Sequence, residues 1–218
     1  LVLVGGAAFM TLGRMQDCAS IPLLAENVLT NAAMQRSAAS GLPDGWASLA
    51  AGVELRGAAL GGDPQQYGFD LNGDGRSIQL IGIANALMLP ALDVAPGQVY
   101  CARLSALSDT PQPTPTRLRL VFSWQNADNQ TLVEQATPWQ TAALWRPDNA
   151  PRDWALITGR AQAPQAAARL IVRIEPASDD RAYLDAFALR PSLRLGSMAS
   201  PIQLAKPPAA AGVMVRLW

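Results

Sequence analysis

Hydrophobic and polar residues alternate with a period of two along the middle of this chain. In Val99 to Leu107, Tyr100, Ala102, Leu104 and Ala106 fall on one side, and Cys101, Arg103 and Ser105 on the other. In Arg117 to Gln125, Leu118, Leu120, Phe122 and Trp124 oppose Arg117, Arg119, Ser123 and Gln125. In Arg169 to Glu175, Leu170, Val172 and Ile174 oppose Arg169, Arg173 and Glu175. This period predicts strands with one face in a core and one outside it. Ser77 to Ile83, Trp154 to Arg160 and Tyr183 to Leu189 read as further strands. Turn residues separate them. Pro96-Gly97 closes one turn, three prolines fill Ser108 to Thr116, and Asn126-Ala127-Asp128-Asn129 makes another. Leu55 to Gly68 is glycine-rich and reads as a loop, as does the polar stretch from Leu144 to Arg152 around Trp145. No long segment carries a helical period. The pattern predicts an all-β, antiparallel sandwich.

The two ends differ from this middle. Leu1 to Gly13 holds no charge and is mostly apolar, and Arg14 and Asp17 follow. Thirteen helical residues span about 20 Å, less than the ~30 Å of a hydrocarbon core. Three readings compete: the end of a membrane anchor, the apolar part of an uncleaved signal peptide, and a core strand. The anchor is preferred, because a polar spacer and a globular domain follow directly. The chain then divides into an apolar anchor segment (1–17), a linker (18–26), a sandwich (27–190) and a Pro/Ala-rich tail (191–218). The tail ends in Val213-Met214-Val215-Arg216-Leu217-Trp218, whose apolar character suits docking more than a free terminus.

Composition narrows the chemistry. The chain of 218 residues is long enough for one substantial core. Lys plus Arg equals Asp plus Glu, which argues against binding nucleic acid through its phosphates. There is no histidine, so no Ser-His-Asp triad and no imidazole metal site. Two cysteines are too few for a four-thiolate zinc site. No carboxylate pair stands out, so the expectation is a protein that is not an enzyme. An anchored domain would be extracytoplasmic (periplasmic or at the cell surface), where disulfides persist. Cys18 and Cys101 are then a candidate pair; two separate buried thiols are the competing reading. Asp70, Asn72 and Asp74, with Gly75 at the sixth position, resemble the start of a calcium-binding loop. Ile81 stands where the twelfth-position acid belongs, and Asn72-Gly73 and Asp74-Gly75 also suit plain hairpin turns.

A wider pattern joins these pieces. Asn27-Val28-Leu29-Thr30-Asn31 is followed by Gly45-Trp46, then Pro96-Gly97-Gln98-Val99-Tyr100, then Trp154 to Ile157, then Tyr183-Leu184-Asp185-Ala186-Phe187. Their order over about 27–190 resembles the jelly-roll carbohydrate-binding modules, galactose-binding-like β-sandwiches that bind and do not catalyse. The resemblance implies a glycan groove on the polar face of the middle strands. Arg103, Arg119, Gln125 and Arg173 are the ligand-binding candidates there, beside Gln79, Arg117, Arg169 and Glu175. No aromatic residue belongs to that face. Trp46, Trp124 and Trp154 fall at inward positions, and Trp139 and Trp145 lie in loop-like contexts where they suit sugar stacking. The family's structural calcium implies an opening Glu and a closing Asp pair; here Gln35 and Ala186 replace two of those ligands. A Cys18–Cys101 bridge would lay the linker over this same face and obstruct a groove. The expected function is a non-catalytic, membrane-tethered module that binds a glycan or cell-surface polymer. The alternative is an accessory subunit of a membrane or cell-surface assembly.

Overall fold

A computed structural model describes residues 18, 24–34, 41–50, 53–57, 76–108, 115–144 and 154–193. Leu1–Asp17, Gln35, the Asp70–Asp74 loop, Trp145 and the tail beyond Leu193 lie outside the described residues. Thirteen strands follow one another: β1 (Ala47–Ser48), β2 (Val53–Gly57), β3 (Arg76–Ile81), β4 (Leu87–Met88), β5 (Leu92–Asp93), β6 (Val99–Ser108), β7 (Arg117–Gln125), β8 (Thr131–Ala136), β9 (Gln140–Thr141), β10 (Ala143–Leu144), β11 (Ala155–Gln162), β12 (Arg169–Pro176) and β13 (Arg181–Pro191). Among the described residues there is no α-helix, and no helix is long and apolar enough to cross a membrane.

The strands form two sheets. The first runs β1-β4-β12-β7-β8, with β5 also along β12 and β9 along β7. The second runs β10-β6-β13-β3-β2, with β11 also along β6. Every pairing is antiparallel except the short one between β10 and β6. The steps β6 to β7, β11 to β12 and β12 to β13 each cross between the sheets, which makes the pair a jelly-roll sandwich.

The alternating positions fill the core. Ala102, Leu104 and Ala106 of the second sheet meet Leu118, Leu120, Phe122, Leu170, Val172 and Ile174 of the first. Trp124 is fully buried, stacked on Phe122 at 6.4 Å and tilted against Tyr100 at 6.0 Å. Trp46 meets Phe187 edge-on at 4.7 Å, in the same core. Hydrophobic burial on this scale dominates the stability of such a sandwich.

The segment before β1 is fastened to β13. Leu24 bridges Ser192, and Ala25 and Val28 donate to the Pro191 and Leu189 carbonyls. β13 carries a bulge between Asp185 and Ala188, where Ala186 takes a φ of 52°. Asn27 answers it. Its Oδ1 accepts from Leu189 N (2.9 Å) and Leu29 N (3.1 Å), and its Nδ2 donates to Phe187 O (3.0 Å). Buried Asp185 accepts from Ala186 N at 2.5 Å, so it serves the bulge.

Several expectations are corrected. Val53–Gly57 is a strand, so the first residues of the expected 55–68 loop pair with β3. Trp154 is not in the main core. It packs on a small cluster of Leu107, Tyr183 and Ala143 on the outer side of the second sheet. The polar positions do not share one face. Arg103 and Gln79 sit on the second sheet, and Arg117, Arg119, Gln125, Arg169, Arg173 and Glu175 on the first, so a whole sandwich separates the two groups.

Candidate ligand-binding face

The outer face of the first sheet is built by register. Arg119 on β7 stands opposite Glu175 on β12, Val121 opposite Arg173, and Ser123 opposite both Ile171 on β12 and Glu134 on β8. Paired residues share a face, so these side chains point away from the core together.

They form a continuous chain of alternating charge. Arg119 donates to Glu175 Oε2 from Nε at 2.8 Å and from Nη2 at 2.7 Å. Arg173 donates to Glu175 Oε1 from Nε at 3.2 Å and from Nη2 at 3.1 Å. On its far side Arg173 grips Glu134 through both guanidinium nitrogens, Nη1 to Oε1 at 2.5 Å and Nη2 to Oε2 at 3.1 Å. This fork holds the Glu134 carboxyl below its usual range and raises Arg173 further above its own, so both stay charged.

An aromatic ring ends the chain. The Arg119 guanidinium lies 4.6 Å over the Trp139 ring, a cation–π contact. Trp139 is 38% exposed. Its backbone is pinned on both sides. Thr137 exchanges two hydrogen bonds with the Leu120 backbone, through its own N–H and through Oγ1. Gln140 spans to β11, donating to Thr158 O at 2.7 Å and accepting from Thr158 N at 2.9 Å. The ring is therefore presented by a rigid connection. The face expected to lack an aromatic has one, delivered by the link between β8 and β9.

Other predicted residues fall elsewhere. Gln125 shares this outer face at the end of β7, opposite Arg169 and Thr131. Arg169 there donates to Asn129 Oδ1 and lies 3.9 Å from Asp93. Arg103 points from the opposite sheet. Trp145, Asp70, Asn72 and Asp74 lie outside the described residues, and those described hold no cluster of three or more Cys, Asp and Glu suited to a metal.

Cys18 and Cys101 are joined as a disulfide, with Cα atoms 5.7 Å apart. The bridge lies on the outer side of the second sheet, where the Cys18 sulfur rests 3.2 Å from the Gly159 carbonyl oxygen of β11. It sits on that face and leaves the Arg119–Arg173 face clear, contrary to the expected obstruction.

Glu134 was missed by sequence reasoning, because Thr131–Ala136 was not recognised as a strand. The strand's own pattern gave no signal, and the one cue was positional: a hairpin folding back at Asn126–Asn129 carries Glu134 beside Ser123.

The arrangement offers a flat aromatic surface beside fixed guanidinium donors and carboxylate acceptors, the groups that recognise polyhydroxylated ligands. No protein-family model matches the chain, and no curated protein does. Among solved structures it is similar to a xylan-binding domain of carbohydrate-binding module family 22, at 16% identity and TM-score 0.50, covering 76% of this chain and 94% of that one. It is similar to a carbohydrate-binding module family 61 structure in complex with β-1,4-galactotriose, at 15% identity and TM-score 0.43, covering 76% and 98%. It is also similar to a chain of Clostridium thermocellum xylanase 10B, at 15% identity and TM-score 0.48, covering 67% of this chain and 26% of that longer one. The chain has the jelly-roll β-sandwich fold of carbohydrate-binding modules.

Proposed function

We propose that this chain is a non-catalytic carbohydrate-binding module that holds a glycan or cell-surface polymer on the outer face of its first sheet. The observation that carries this reading is Trp139, exposed and pinned at the end of the Arg119–Glu175–Arg173–Glu134 chain. A pyranose ring stacks on the free side of the indole, and its hydroxyls meet the neighbouring charged groups. The xylan-binding domain supports the fold of this reading alone. We further read the chain as tethered to a membrane through the apolar segment 1–17, with its domain extracytoplasmic. The uncharged run Leu1–Gly13 supports the tether, and the Cys18–Cys101 disulfide supports an oxidising compartment.

The test is a polysaccharide array, followed by calorimetry on any hit. Trp139→Ala is expected to weaken binding about tenfold or more, since an aromatic contact is worth roughly 0.5–1.5 kcal/mol beyond the area it buries. Thermal unfolding checks that the variant is folded. A hit that binds Trp139→Ala as tightly as the parent rejects this face.

A second reading is an accessory subunit of a membrane assembly. It is favoured by β8, an edge strand exposed along most of its length, with Leu132 and Val133 about two-fifths exposed. Such an edge accepts a partner strand. Stoichiometric co-purification with integral membrane proteins from native membranes would favour it over the glycan reading.

A further inference from the structure

Arg103 and Arg190 on the second sheet differ in pairing from the arginines at the middle of the first. On the first sheet, Arg119, Arg169 and Arg173 are each ion-paired. On the second sheet, Arg160 of β11 and Arg190 of β13 flank Cys101 of β6 in register, one on each side. Arg103 lies two residues further along β6 on the same face, between Thr158 and Ala188. Neighbouring strands are about 4.8 Å apart, so three guanidinium stems rise from a patch about 10 Å across. Among the described residues, neither Arg103 nor Arg190 has an ion-pair partner, and Arg190 Nε is buried without a hydrogen-bond partner. Two acids lie near: Asp185, fully buried two positions along β13's side of the sheet, and exposed Glu26 on the segment beside β13. Neither forms an ion pair with these two arginines.

The disulfide fixes what this patch faces. It pins Cys18 to the centre of the patch. Only four residues, Arg14 to Asp17, lie between Gly13, the end of the uncharged run, and Cys18, a span of five positions. Five extended steps along the chain reach at most about 18 Å. A membrane that receives Leu1–Gly13 therefore lies within that distance of the patch, on its side of the sandwich.

We propose that the outer face of the second sheet is the membrane-facing surface of the domain, and that Arg103, Arg160 and Arg190 bind the phosphates of anionic lipid headgroups. The guanidinium fork suits phosphate oxygens, and each arginine near an anionic surface strengthens attachment roughly fivefold. The same geometry turns the Trp139 face away from the membrane, where a polymer can reach it. The inference rests on the tether reading.

The test reconstitutes the full chain into phosphatidylcholine vesicles, with and without about 30% phosphatidylglycerol. Flotation reports the tether. Modification by phenylglyoxal, followed by peptide mass spectrometry, reports each arginine. Arg103 and Arg190 are expected to react at least fivefold more slowly in anionic than in neutral vesicles, and to recover in about 0.5 M salt. Arg117, exposed on the first sheet, is the internal control and keeps its rate. Flotation with equal Arg103 rates in both vesicles overturns the proposal and leaves the tether standing. Failure to float in either vesicle removes the tether, and the proposal with it. Protection by inorganic phosphate in detergent alone would mean a discrete small-anion site, and would also overturn the membrane-facing reading.

Discussion

Gly159 has no room for a side chain. It lies in β11 facing the core, and a Cβ built there would stand 2.5 Å from Thr137 Cγ2, 3.1 Å from Phe122 Cε2 and 3.2 Å from Leu120 Cδ1. Carbon contacts are comfortable at about 3.5–4.0 Å, so the first overlap is about 1 Å deep. Thr137 cannot swing away freely, because its buried Oγ1 accepts from Leu120 N at 3.0 Å. Overpacking of this kind costs about 1–3 kcal/mol, and loss of the Thr137 bond adds about 1 kcal/mol. Replacing glycine recovers about 0.5–1 kcal/mol from the unfolded chain. Gly159→Ala is therefore expected to destabilise the domain by about 2 kcal/mol net, a melting shift of about 4–8 °C at this chain length. Thr137→Ser removes the clashing methyl and keeps the hydroxyl. The double variant should recover most of the loss, with a coupling of about 1–2 kcal/mol in urea titrations of the four proteins. Additive effects, or a single alanine variant melting within about 1 °C of the parent, would refute the close approach of β11 to Thr137.

Three further outcomes are expected. The Glu134 carboxyl is held below its ordinary 4.5, chiefly by its hydrogen bond from Arg173, so its contribution is present above about pH 4.5 and is lost as pH falls below it. Glu134→Gln should flatten that acid loss in pH-dependent unfolding and lower stability near pH 7 by less than about 1 kcal/mol, because the pair is only part-buried and solvent screens it. Replacing both cysteines with serine opens a constraint between residues separated by 83 positions, which the chain-entropy relation values at about 4–5 kcal/mol; urea unfolding should lose most of that, and a loss below about 1 kcal/mol would contradict it. Asn27→Ala leaves the Leu189 N–H and Phe187 carbonyl at the β13 bulge without their partner, for a loss of about 2–3 kcal/mol, read as faster hydrogen exchange at Leu189.

The legible parts of this fold are the strands whose core-facing residues recur with a period of two. β12 alternates in burial at every position, and β6 and β7 alternate in sequence although outward Cys101, Ser105, Val121 and Ser123 are buried too; the inward residues of all three meet in the core. A period of two separates inside from outside, but it does not say in which sheet a strand lies. Arg103 and Arg119 therefore looked like neighbours, and only the non-local pairing of β6 with β13 and of β7 with β12 puts the sandwich between them. β8 was illegible because an edge strand exposed nearly throughout has no alternation to read, and Glu134 went with it. Trp154 misled because the second sheet carries a small apolar cluster on its outer side. Trp139 was legible as an exposed ring but not as a member of the face. Its place follows from the Thr137 and Gln140 anchors, which join residues far apart in sequence.

The contrast between the two faces leads to one further expectation. On the first sheet, each central guanidinium is neutralised by a carboxylate at hydrogen-bond distance, so a ligand there meets fixed dipoles and a ring, with little net field. Screening by salt acts on net charge seen from a distance and barely on short, part-buried pairs. A neutral polysaccharide held beside Trp139 should therefore bind with nearly the same affinity at about 0.05 and 0.5 M salt. Attachment through Arg103, Arg160 and Arg190 should weaken steeply over the same range. Affinity electrophoresis of the glycan and vesicle footprinting of the arginines, run across one salt series, separate the two surfaces. Glycan binding that collapses with salt would mean that the ligand is itself anionic, or that it is held by Arg103 and Arg190 of the second sheet. In the latter case the face that carries the disulfide would be the binding face, and Trp139→Ala would leave affinity unchanged.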